Sequence, residues 1–551
     1  MGWSRHFLLG LVFVANVSFA QSKIYNITLK DKVGTLYNVN QPENFLSPRA
    51  LERKARLNIP ILEQDLPVSD TYLNSLRTFD VNILHTSKWM NSVLVEAEEA
   101  TLNQIENESY IKSIDLVAQN VTTPSSGRIS ATKFGSKKSG RKRNKRRIKS
   151  TIESNAHQNR MIQVDKMHEM GYSGEGMLVA IFDSGFDEVN ESSFFDHLYE
   201  NDQIVFTRDF VGKSDNVYQY DTHGSNSFSV MSAYKENEYV GVVYDADFVL
   251  CVTENVSTEF RVEEYYWLAA AELADSLGVD VINSSLAYTT FDDPNMSYTY
   301  EDLDGQTTVV TNAAKIASEK GMIVATSVGN DGNKSWKYLN APSDADSVLA
   351  IGAVGMDLER SGFSSFGPTA DGRIKPDLCA LGTNVKVVKG ELVGTSSGTS
   401  FSTPLIAGLA AGFWQALPEL SSFEVMELLR STASNSLNPD TVLGYGIPNF
   451  VDAYNKALDV EEKTDETFIV YPNPVDGSKI FVASSGFLEI GKVTVNFADF
   501  QGRILRSIEQ EVFSVTNDLE IDVSDMRQGY YLVEFVVPKT DKRKLVKLIL
   551  L

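Results

Sequence analysis

The sequence predicts an α/β protein in which a parallel sheet carries helices on both faces, preceded by a small α+β unit and followed by a small all-β sandwich. Three observations carry that expectation. Between residues 151 and 460, short apolar runs suited to buried parallel strands alternate with longer helix-like stretches. At 551 residues the chain is too long for one core and should divide into about three folded units. From about residue 462 the pattern changes to short alternating strands separated by turn signals.

Residues 1–20 read as a secretory signal: Arg5 precedes an apolar stretch over 7–17, and Ser18 and Ala20 suit a cleavage after Ala20. That segment is too short to span a bilayer, and no later run is long enough, so no integral membrane segment is expected. Residues 21–120 form the α+β unit. A strand over 24–29 comes first, Ser47 and Pro48 offer an N-cap and first-turn proline for a helix through Arg56, and strands near 81–84, 92–95 and 111–116 flank a helix over 98–105.

Residues 121–150 read as a solvated, cleavable linker. Between 133 and 149 there are ten Lys or Arg and no acid, so the rest of the chain is ten charges more acidic than the net −23. An acidic surface of that size argues against nucleic acid as a partner. The α/β unit over 151–460 has strand runs at 178–182, 248–252, 279–283, 322–326 and 348–354, with helices at 263–277 and 311–320. Ligands of such sheets bind outside the carboxyl ends of the strands, where Asp183 and Asn283-Ser284-Ser285 fall. Residues 461–551 begin with a polar linker and continue as the β-sandwich. Cys251 and Cys379 are the only cysteines, which excludes a disulfide scaffold; a pair and two buried thiols both remain open.

Four motifs carry chemistry. Ile181-Phe182-Asp183-Ser184-Gly185 ends a strand in a carboxylate, and His223-Gly224-Ser225 puts an imidazole ahead of a helix. Ser327-Val328-Gly329-Asn330 follows another strand, and Gly398-Thr399-Ser400-Phe401-Ser402-Thr403-Pro404 exposes a serine where loop becomes helix. These residues supply an orienting acid, a base, an oxyanion donor and a nucleophile for peptide-bond hydrolysis. Gly394-Thr395-Ser396 is a decoy, and Pro404 with the small-residue run 407–412 selects Ser400. The order Asp, His, Ser is that of subtilisin, and the chain resembles a subtilase, a subtilisin-like serine peptidase.

The resemblance implies a secreted endopeptidase with catalytic Asp183, His223 and Ser400, and Asn330 in the oxyanion hole. It also implies a strand-like substrate site along Ser284, Ser285, Leu286 and Ala287 facing Gly329, acting on protein or peptide substrates. Subtilases usually have glycine where Ala287 stands and methionine-alanine where Phe401-Ser402 stand. Residues 21–120 then resemble the family's prodomain, an intramolecular inhibitor and folding assistant. The motifs Tyr471-Pro472-Asn473-Pro474, Asp499-Phe500-Gln501-Gly502-Arg503, Gly529-Tyr530-Tyr531 and Lys547-Leu548-Ile549-Leu550 resemble the sorting domain read by the type IX secretion machinery of Bacteroidetes. No cofactor is required by such chemistry; Asp302 and Asp304, or the 183–188 acids, are candidate ligands for a structural Ca²⁺, with loop acids exposed to water as the favoured alternative. The alternatives are an inactive peptide-binding scaffold and a cell-surface adhesin.

Overall fold

The computed structural model describes residues 23–119, 153–461 and, within 468–550, all but short connecting stretches. The expected signal over 1–20 and the basic linker over 121–150 lie outside the described residues. Two compact units divide after Ala453. Among the described residues no helix is long and apolar enough to cross a membrane.

The first unit opens with an antiparallel sheet of Val81–Ser87, Ser92–Ala97, Lys23–Leu29 and Ile111–Gln119, in that order across the sheet. Its alternation sorts side chains to two faces. Tyr25, Ile27, Leu29, Val93 and Val95 pack with Leu76, Leu102 and Ile105, which come from the helices Asp70–Leu76 and Glu99–Ile105. Ile24, Leu94 and Val117 belong instead to a core shared with Tyr266, Ala270 and Ala274 of the helix Val262–Leu277. Burial on both faces explains why Ser92–Ala97 reads as a nearly unbroken apolar run. The short helix Asp70–Leu76 was not expected, because its sequence carries little apolar periodicity.

Polar contacts seat this sheet on the Val262–Leu277 helix. Ser87 Oγ and the backbone amides of Lys88 and Trp89 donate to the Glu272 carboxylate at 2.6, 2.9 and 3.0 Å. The helix Pro48–Arg56, capped by Ser47, brings Arg53 and Lys54 to Asp275 at 2.7 and 2.8 Å, and Lys88 adds a third cation at 3.5 Å. Gly278 caps the longer helix with φ +87°, and a Cβ there would meet the Ala50 amide at 2.6 Å, so the residue must be glycine for the two helices to approach. Burial alone would raise the Asp275 carboxyl, but Lys88, Lys54 and Arg53 outweigh it and hold it below the usual range.

Seven parallel strands form the central sheet, in the order Leu378–Leu381, Leu349–Val354, Ile323–Ser327, Val281–Ser284, Leu178–Asp183, Asp247–Val252 and Ile204–Asp209. Helices Val262–Leu277 and Val309–Glu319 share a core with Ala180 and Phe182, whereas Phe228 of helix His223–Ser232 packs edge-on against Phe248 on the opposite face. Five of the seven strands match the expected runs. Leu378–Leu381 and Ile204–Asp209 at the two sheet edges were not read, being short in one case and polar in the other. Cys251 and Cys379 are buried and unpaired with each other.

The second unit is a β-sandwich. Phe468–Tyr471, Lys479–Ser484 and Leu519–Asp522 form one sheet, and Ile504–Val512, Gly491–Ala498, Gly529–Val537 and Lys542–Leu550 the other. Val470, Ile480, Val482 and Ile521 from the first meet Val493, Val495, Phe497, Val533 and Phe535 from the second.

Asp275→Ala should leave Arg53, Lys54 and Lys88 as uncompensated buried cations and cost the full chain about 3–5 kcal/mol. The denaturant midpoint measures it, and a loss below about 1 kcal/mol would mean that water reaches the cluster.

Candidate active site

Two neighbouring strands at the middle of the parallel sheet, Leu178–Asp183 and Val281–Ser284, end side by side, with Phe182 opposite Ser284. Asp183 therefore emerges at the carboxyl edge, fully buried, and its Oδ1 accepts from the Ser184 amide at 2.8 Å. His223 opens the helix His223–Ser232, and its Nδ1 lies 2.7 Å from the same Oδ1. Gly224 permits this approach: a Cβ there would stand 3.0 Å from Asp183 Cβ and would collide with the Gly185 carbonyl. Burial alone would lower the His223 imidazole, but the Asp183 charge, its hydrogen bond and nearby Asp221 together lift it above the ordinary value of 6.5.

Ser400 is the second residue of the helix Thr399–Ala416 and is buried. Phe401 rests its ring 5.8 Å from the His223 ring, which brings the serine and imidazole segments to one place. Pro404 has no amide hydrogen for the Ser400 carbonyl four residues back. That carbonyl instead accepts from Ser285 Oγ at 2.9 Å, while Ser400 Oγ donates to the Ser285 carbonyl at 3.3 Å. The proline and Ser285 thus fix the first turn jointly. Sequence reading singled out Pro404 but gave it no such role; a proline four residues after a buried carbonyl was the available signal.

Asn330 follows the strand Ile323–Ser327, and its Oδ1 accepts from the Thr399 amide at 2.9 Å and Thr399 Oγ1 at 3.2 Å. Those bonds fix the amide orientation and turn the two Nδ2 hydrogens away from Thr399. Ser327 Oγ donates to the Leu286 carbonyl at 3.0 Å, so the segments 284–287 and 327–330 run next to each other beyond the strand ends. Ser284, Ser285, Leu286, Ala287 and Gly329 are therefore all brought to the same edge as Ser400. The decoy Gly394-Thr395-Ser396 belongs to a hairpin strand, Leu392–Ser396, paired with Val385–Lys389.

Asp302 and Asp304 serve local turns. Asp302 Oδ2 accepts from the Thr299 amide and hydroxyl, and Asp304 Oδ1 from the amides of Gln306 and Thr307. Asp183 of the 183–188 stretch is committed to His223 and Ser184. Among the described residues, the carboxylates close enough to surround one cation are those of Glu254, Glu259 and Glu263, a group not anticipated from sequence because the three are spread over a loop and a helix start. His85, His168 and His197 lie against the backbone carbonyls of Phe210, Val242 and Tyr244, in keeping with structural roles.

Residues 174–446 match the subtilase family of the S8 peptidases. The central domain belongs to that family. Residues 24–150 match the S8 propeptide domain of Bacteroidota, and residues 469–550 match a secretion-system C-terminal sorting domain. Subtilisin NAT of Bacillus subtilis subsp. natto is 28% identical over 277 residues, covering 50% of this chain and 64% of that protein. Subtilisin of Bacillus pumilus is 28% identical over 277 residues, covering 50% of this chain and 89% of its own length. The crystal structure of MycP1 from Mycobacterium smegmatis overlays with a TM-score of 0.43 at 20% identity, covering 60% of this chain and 95% of that one.

The protonated His223–Asp183 pair contributes stability that is present below pH 6.5 and fades as pH rises through the raised folded value. Histidine NMR should accordingly find His223 titrating above 6.5, and at a lower pH in Asp183→Asn, where the largest of the raising charges is gone. Equal titration points in the two proteins would remove the carboxylate as the cause.

Proposed function

We propose that the protein is a secreted serine endopeptidase that hydrolyses peptide bonds through Ser400, His223 and Asp183. The observation that carries this reading is the 2.7 Å bond from His223 Nδ1 to a buried carboxylate, with the His223 ring against the residue that follows Ser400. Asp183 holds the Nδ1 tautomer and stabilises the imidazolium, which leaves Nε2 as the basic nitrogen. His223 takes the Ser400 proton as the hydroxyl attacks, then passes it to the departing amine. The Ser400 amide, in the first turn of its helix, and the Asn330 Nδ2 group act as donors to the oxyanion.

The substrate backbone adds as a strand along Ser284–Ala287 with Gly329 on its other side. Nucleophile, base and oxyanion donors all come from the chain, so the route requires no cofactor. Asp302 and Asp304 stay outside the proposal, their carboxylates being used in turns. The domain over 23–119 acts as the inhibitor until it is removed after the basic linker is cut, and the sorting domain delivers the protein to the type IX machinery and so to the cell surface or medium. The inactive-scaffold alternative is disfavoured by the presence of all four catalytic groups.

Ser400→Ala should abolish both casein digestion and labelling by a fluorophosphonate while leaving the circular dichroism unchanged; retained hydrolysis would refute the assignment. Asn330→Ala should keep the labelling site and lower kcat by about 10²–10³, the loss known for a side-chain oxyanion donor in subtilisin. A change confined to KM would take Asn330 out of the oxyanion hole.

A further inference from the structure

The segments 285–288 and 327–330 leave the sheet next to each other, and the chain crosses between them at Asn340-Ala341. Asn340 N donates to the Val328 carbonyl at 3.1 Å, Tyr288 N donates to the Ala341 carbonyl at 2.8 Å, and Ala341 N returns a bond to Tyr288 at 3.2 Å. Asn340 is thereby held between the segments that carry Leu286-Ala287 and Val328-Gly329. Its side chain lies directly behind Gly329, where a Cβ would stand 2.5 Å from Asn340 Nδ2.

This asparagine is only 4% exposed, and one end of its amide is unsatisfied. Nδ2 donates to Asp331 Oδ2 at 2.8 Å, which fixes the amide orientation, and Oδ1 has no hydrogen-bond partner. A buried acceptor without a donor is costly, so its retention asks for a reason. The carboxylate behind it is held only loosely by a cation: Asp331 Oδ1 pairs with Lys334 at 2.7 Å, but that lysine side chain is 65% exposed. An exposed pair of this kind exchanges readily with water or another cation.

We propose that Asn340 Oδ1 and the Asp331 carboxylate receive the ammonium or guanidinium of a lysine or arginine on the acyl side of the scissile bond, making the enzyme selective for cleavage after basic residues. The inference rests on the peptidase reading above. A basic side chain supplies a hydrogen donor for the amide oxygen and takes the place of the exposed Lys334 as the cation of the carboxylate. The chain contains a matching substrate: the stretch 133–149, with ten basic residues and no acid, lies directly ahead of the subtilase domain. Cleavage within it after a basic residue would sever the propeptide from the subtilase domain.

The test uses the matured protein and tetrapeptide aminocoumarin substrates that differ only in Lys, Arg, Leu or Phe before the scissile bond. Lysine and arginine substrates should exceed leucine and phenylalanine by roughly tenfold or more in kcat/KM, as expected for a charged hydrogen bond. Asp331→Asn should shrink that ratio by about the same factor. Lys334→Ala removes the competing cation and should lower KM for the basic substrates while leaving the apolar ones unmoved, a result that a purely structural role for Asp331 does not produce. Leucine or phenylalanine preference in protein whose Ser400 labels with fluorophosphonate would overturn the specificity inference alone. Absence of both labelling and hydrolysis of all four substrates would overturn the peptidase reading with it.

Discussion

A carboxylate buried at the end of a central strand must have a partner, and much of the catalytic domain is arranged to give Asp183 one. An unpaired charge there would cost several kcal/mol or be lost to protonation. The imidazole of His223 is that partner, and it reaches Asp183 only because a helix starts at residue 223 and the next residue has no side chain. The same strand edge presents Ser285, whose hydroxyl and carbonyl both engage Ser400. Asp183 and Ser285 are thus neighbours through sheet register, and the two helices that carry His223 and Ser400 are docked onto them.

The fold class was legible because buried parallel strands leave unbroken apolar runs, as at residues 178–182 and 248–252. Elements that do not bury both faces were harder to see. Ile204–Asp209 exposes Val205 at the sheet edge, and Ile504–Val512 alternates toward solvent, so neither produces such a run. The candidate site was legible residue by residue through its motifs, since Asp183, His223, Asn330 and Ser400 each stand at an end of a strand or start of a helix. What connects them was not. The Ser285–Ser400 exchange spans 115 positions and the Asn340–Gly329 contact depends on how a loop returns, and single-sequence patterns carry no information about either. The tri-carboxylate group at Glu254, Glu259 and Glu263 escaped notice for the same reason.

Glycine and proline act here through what they omit. Gly224 and Gly278 each make room for a neighbouring chain that a methyl group would displace. Pro404 withholds a helix bond so that the Ser400 carbonyl is available to Ser285. None of the three touches a substrate in the proposed reaction, yet each decides where a reacting or inhibiting group can stand.

The seating of the N-terminal domain on the Val262–Leu277 helix has a consequence for how that domain is shed. Arg53, Lys54 and Asp275 are almost completely removed from solvent, so mobile ions cannot screen their attraction as they screen surface pairs. Brine is a poor eluent for a lid fastened in this way. On the inhibitor reading proposed above, release requires that the small domain itself come apart, by unfolding or by being digested, so the lifetime of a latent form follows how long that domain stays folded and not the ionic strength around it.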